Sequence, residues 1–76
     1  MQAGDRVYYL YTGKHGTPIK FAAVVLGVED DGIAIRVGRY DVHSKEVDTF
    51  ESVVAASSLQ PRSVPCSYED DLQAAP

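Results

Sequence analysis

The chain has 76 residues, a formal net charge of −4, 45% aliphatic and aromatic residues, and one cysteine. A chain this short buries only about 60% of the surface its unfolded form exposes, which leaves room for one thin core and no second domain. No apolar run approaches the ~20 residues of a membrane-spanning helix, Cys66 has no internal disulfide partner, and the acidity disfavours a nucleic-acid partner, which is normally held by a basic patch.

The opening Met1-Gln2-Ala3-Gly4-Asp5 has neither the basic cap nor the apolar stretch of a secretory signal. With the lone thiol, it leads to the expectation of a reducing, cytoplasmic compartment. Gly4-Asp5 punctuates the start, and Arg6-Val7-Tyr8-Tyr9-Leu10-Tyr11-Thr12 is so rich in β-branched and aromatic residues that it reads as a strand. Thr12 to Pro18, with two glycines and a proline, reads as an open loop.

A long hairpin follows from near Ile19. Ala22-Ala23-Val24-Val25-Leu26-Gly27-Val28 is apolar, Glu29-Asp30-Asp31-Gly32 is a turn, and Ile33-Ala34-Ile35-Arg36-Val37 returns. Asp30-Asp31 suits the centre of a type I turn and Gly32 the left-handed residue after it. A half-exposed strand alternates, so the unbroken apolar run predicts cover on both faces, from barrel closure, the tail or another subunit.

Residues 46–56 carry two signals. Thr49, Phe50, Val53 and Val54 favour a strand, whereas Asp48 with Glu51 forms a capping box, and Phe50 and Val54 share a helical face. The strand is the preferred reading, with an α+β fold and a helix near 48–59 as its alternative. Ala55 to Leu59 predicts one short helical turn, and Gln60-Pro61-Arg62-Ser63-Val64 an edge strand, where proline is tolerated. Pro65 to Pro76, with two prolines and Glu69-Asp70-Asp71, predicts a flexible acidic tail. The domain reading is therefore a β-domain over 1–64, a small antiparallel barrel or partly open sheet sandwich, and a tail over 65–76.

Gly4-Asp5-Arg6-Val7 opening a strand, Gly13-Lys14 and Gly16 in the next loop, the central hairpin, and Val53…Ala56…Leu59-Gln60-Pro61-Arg62 together resemble the small barrel of Tudor, KOW and other Src-homology-3-like modules. The resemblance covers about residues 4–63 and implies an all-β, antiparallel barrel of about five strands with a short 3-10 turn. The chain departs from these families in several respects. It has no tryptophan for a polyproline groove, and it is acidic where a KOW module is basic. A Tudor domain would gather Tyr8, Tyr11, Tyr40 and Phe50 around a methylated cation. Small plasmid-type reductases share the Gly-Asp-Arg-Val opening, but their Val-Gln-Ile-Tyr site motif has no counterpart here.

The candidate binding residues are Tyr8, Tyr11, Tyr40, Asp41 and Phe50. Aromatic rings give large contact area at low entropic cost, and Tyr40-Asp41 sets a ring beside an anion. The pleat puts Val7, Tyr9 and Tyr11 on one side of the first strand and Tyr8 and Leu10 on the other. His15, His43 and Cys66 lack the spacing of a metal site, Ser57-Ser58 lacks a nucleophile elbow, and Gly13-Lys14-His15-Gly16 lacks the strand-to-helix context of a phosphate loop. The expectation is a non-catalytic module without metal, cofactor or membrane. Its partner would be a protein or peptide, with self-association included. The nucleic-acid alternative rests on the first-strand tyrosines with Arg6, Lys14, Lys20, Arg36 and Arg39.

Overall fold

A computed structural model describes residues 1–13, 16 and 18–73. Within it the fold is all-β: β1 (Arg6–Thr12), β2 (Pro18–Glu29), β3 (Gly32–Asp41), β4 (Glu46–Val54) and β5 (Leu59–Pro61) form one antiparallel sheet in the order β4-β3-β2-β1-β5. A 3-10 turn over Ala56–Ser58 separates β4 from β5, and a short helix, α1 (Glu69–Gln73), follows. The ambiguous segment is thus a strand through Val54. Its β-branched and aromatic residues pair across β3, as Ile33 with Val54 and Val37 with Phe50, and that pairing outweighs the capping box.

The central hairpin turns at Asp30-Asp31, with Glu29 opposite Gly32. Gly32 has φ 152°, and a Cβ there would lie 2.6 Å from the Val54 carbonyl oxygen. Only glycine lets β4 end so close to this turn. A bulge between Val25 and Gly27 inserts Leu26 into β2 and strengthens the local twist.

Register sorts the side chains onto two faces. On the core face, Val7, Ala23, Val25, Ile33, Ile35 and Val37 are buried, with Tyr9, Phe21, Val54 and Leu59 packed against them. Among the described residues no second sheet lies over this face, and its cover comes from within the one sheet, where Val54 at the end of β4 and Leu59 at the start of β5 both pack on the same buried cluster. The other face holds a smaller cluster of Ala22, Val24 and Leu72, flanked by Cys66 and Tyr68. The apolar run of β2 is therefore covered on both sides, as its lack of alternation predicts.

Two expectations are corrected. The sheet is open: β5 has only three residues, one of them Pro61 without an N–H, and it pairs with β1 alone. No ladder joins it to β4, so the strands do not close into a barrel. In addition, residues 65–73 are not a free acidic tail, because Tyr68 and Leu72, four apart, bring α1 down on β2 and β3 with Leu72 fully buried. Gly38 provides the seat, since a Cβ there would fall 2.5 Å from the Tyr68 ring and 2.9 Å from Leu72.

Two arginines hold α1 in place. Arg62, buried to 5% exposure, donates from Nε to the Val7 carbonyl (3.1 Å) and from Nη2 to the Ala23 carbonyl (2.8 Å), and it grips both carboxylate oxygens of Glu69. Arg36 donates to the Leu72 carbonyl (3.2 Å) at the helix end and pairs with Glu51 (3.4 Å). Among the described residues no buried side-chain nitrogen or oxygen lacks a hydrogen-bond partner.

Candidate functional site

At one end of the core face the sheet leaves a cleft of about 400 Å³ lined by Tyr9, Tyr11, Ile19, Phe21, Arg39 and Phe50. Its construction follows from the ladder. Tyr9 lies opposite Phe21 and Tyr11 opposite Ile19, and directly opposed residues of antiparallel strands share a face. Beta3 supplies Arg39, and β4 supplies Phe50 opposite Val37. Tyr9 and Tyr11 sit with ring centroids 6.3 Å apart at 50°. Tyr11, Ile19 and Phe50 are each more than 40% exposed, so apolar surface faces outward at the mouth.

The sequence-derived candidates divide. Tyr11 and Phe50 meet in this cleft, whereas Tyr8, opposite Ala22, belongs to the other face. There the Lys20 ammonium lies 5.2 Å and the Arg62 guanidinium carbon 6.0 Å from the Tyr8 ring centroid. Tyr40, one residue beyond Arg39 on β3 and opposite Val47, projects from that second face also. Asp41 is engaged in the turn: its Oδ1 accepts from the backbone N–H of His43 (2.8 Å) and Ser44 (3.3 Å), and its carbonyl accepts from Lys45 N–H, whose φ is 59°. A single aromatic cage from Tyr8, Tyr11, Tyr40 and Phe50 is not assembled.

Tyr9, Ile19, Phe21 and Arg39 complete the cleft; Tyr9 and Arg39 are candidates only for the nucleic-acid alternative, and Ile19 and Phe21 for neither reading. Alternation already put Tyr9 beside Tyr11. The positions of Ile19 and Phe21 depend on the β1–β2 register, which the loop between them leaves open in the sequence.

Among the described residues lining the cleft, the one cation is Arg39. Arg39 reaches Asp48 at 4.0 Å, and both side chains are mostly exposed, so this pair is weak. The other cations are dispersed. Arg36 and Arg62 are buried under α1, Arg6 leans toward Glu69 (3.6 Å), Lys20 lies over Tyr8, and Lys14 falls outside the described residues, as does His15. Cys66 is occupied at the start of α1, where its N–H (3.2 Å) and Sγ (3.6 Å) both approach Glu69 Oε1. Among the described residues no three His, Cys, Asp or Glu side chains come together as metal ligands, and no helix is long and apolar enough to cross a membrane.

Comparison with known proteins gives no match: no family model, curated protein or solved structure is similar to this chain.

Proposed function

We propose that this chain is a non-catalytic protein-interaction module whose cleft takes an apolar or aromatic side chain of a peptide with a neighbouring carboxylate. The observation that carries this reading is the gathering of Tyr9, Tyr11, Phe21 and Phe50 on one face beside Arg39. The rings offer amphipathic area, and the guanidinium offers a planar fork for a carboxylate. The same guanidinium repels a cation, so a methylated-lysine ligand fits less well than an acidic one. The strand order, with the 3-10 turn ahead of β5, supports an open variant of the Src-homology-3-like architecture.

The test is an NMR titration of the chain with two short peptides, one pairing phenylalanine with aspartate and glutamate, the other carrying trimethyllysine. The acidic peptide should shift the amides of Tyr9, Tyr11, Phe21 and Arg39. Tyr11→Ala should weaken binding about tenfold with an unchanged circular dichroism spectrum, while Tyr8→Ala on the other face leaves it intact. Equal binding by wild type and Tyr11→Ala, or preference for trimethyllysine, would overturn the reading.

A further inference from the structure

The β4 strand is the long free edge of the sheet. It has nine residues, Glu46–Val54, and among the described residues it pairs with β3 alone, while the opposite edge, β5, has three residues. Edges of this length are normally blunted by charge, and β4 carries Glu46, Asp48 and Glu51. Yet it also exposes apolar surface on both faces, with Phe50 (44%) on the core face and Val53 (46%) on the other.

How the edge pairs with itself resolves that conflict. Two copies of one strand running antiparallel are related by a two-fold axis perpendicular to the sheet, so each face meets the same face and residues pair about a central residue. Phe50 is the midpoint of β4. Centred there, all nine residues pair: Phe50 meets Phe50, Val47 meets Val53, Thr49 meets Glu51, Asp48 meets Ser52, and Glu46 meets Val54. No carboxylate faces another. Centring on Asp48 or Glu51 sets like charges on the axis, which is destabilising in a directly opposed pair. Centring on Thr49 pairs only seven residues and puts Val47 against Glu51.

We propose that β4 is a homodimerisation edge, joining two copies into one continuous ten-stranded antiparallel sheet with Phe50 on the two-fold axis. The pairing covers the exposed Phe50 and Val53 and satisfies the outward backbone groups of β4. It also brings the two aromatic clefts side by side, because Phe50 lines each one. The inference is independent of what the cleft holds. An interface built on one strand pair falls at the small end of the size range, where contacts are weak and transient.

Sedimentation velocity from about 10 µM to about 1 mM should show a concentration-dependent monomer–dimer equilibrium of the full chain. Phe50→Lys, which sets two ammonium groups on the axis, should be monomeric throughout with wild-type circular dichroism, since this half-exposed side chain is not part of the buried core. Thr49→Lys should tighten the dimer several-fold by placing a lysine opposite Glu51 twice. Directly opposed Cα atoms are about 4.5–5.5 Å apart, within disulfide reach. Under oxidation, Phe50→Cys in a Cys66→Ser background should therefore form a disulfide dimer much faster than Ser52→Cys in the same background. A wild-type chain that stays monomeric at about 1 mM, or equal cross-linking at the two positions, overturns the proposal. Tyr11→Ala lies away from this edge and should leave dimerisation intact, so loss of peptide binding and loss of self-association are separable.

Discussion

Arg62 and Glu69 form a buried, two-pronged ion pair that fastens the C-terminal segment to the sheet. The same guanidinium also holds the Val7 carbonyl of β1 and the Ala23 carbonyl of β2. One side chain thus joins three parts of the chain, and together with Arg36, which donates to the Leu72 carbonyl, it holds α1 in place. Burial is the largest single influence and works against the arginine's charge, but the hydrogen bond and charge of the Glu69 carboxylate, with Cys66 and Tyr8 adding to them, raise its pKa on balance.

Glu69→Gln should therefore be costly although α1 is short. The amide can still accept a hydrogen bond, but it leaves the Arg62 charge unbalanced in a buried setting, which costs about 3 kcal/mol. In a domain of this size that corresponds to a melting temperature lower by roughly 12–24 °C. Thermal denaturation followed by circular dichroism is the check, and a change of only a degree or two would show that the pair contributes little.

Acid should loosen the same contact. Glu69 is held at about 2, well below its ordinary 4.5, mainly because Arg62 donates to it; burial acts in the opposite direction, and Cys66 N–H and the Gln73 amide assist Arg62. A carboxylate whose folded pKa is depressed binds fewer protons in the folded than in the unfolded state. Its stabilisation is complete above about 4.5 and is lost as the pH falls toward 2. The wild type should lose at most about 3 kcal/mol more than Glu69→Gln across that interval. Urea melts of both proteins at several pH values between 5 and 2 isolate the term, since the other carboxylates are common to both.

Most of the strands were legible because their signals are local. The tyrosine-rich β1, the Asp-Asp-Gly turn and the unbroken apolar run of β2 each depend on residues close in sequence, and each has a strand or turn as its natural form. The missed features depend on distant partners. Read alone, Glu69-Asp70-Asp71 looks like solvated acid, and only Arg62, placed by β5, turns Glu69 into a buried anchor. The site behaves in the same way: the pleat put Tyr11 with Tyr9, but the division of Tyr8 and Tyr40 from Phe50 follows from cross-strand register. Asp41 had a strong local signal of a different kind, because an aspartate before a four-residue turn commonly caps backbone N–H groups.

Gly38→Ala tests whether α1 is seated by the close approach at β3. The added methyl would meet the Tyr68 ring and Leu72 Cδ2, so the helix must lift or the strand must move. The expected cost is about 1–3 kcal/mol. Hydrogen exchange distinguishes the routes: amides of Asp71 and Leu72, bonded to the Tyr68 carbonyl, should lose protection while those of β1 to β3 keep theirs. Uniform loss across the sheet would show that β3, not α1, gave way.

Two further glycines form an internal comparison. Gly32 combines φ 152° with a Cβ position 2.6 Å from the Val54 carbonyl oxygen, whereas a Cβ on Gly27 meets nothing within 4 Å and its φ is not positive. Alanine at 32 forces a strained backbone against an immovable carbonyl and should cost at least about 2 kcal/mol. Alanine at 27 has space and removes unfolded-state freedom, so it should be neutral or stabilise by up to about 1 kcal/mol. Chemical denaturation of the two variants beside wild type checks both values. Equal effects would mean that the end of β4 does not pack on the central turn as closely as the geometry requires.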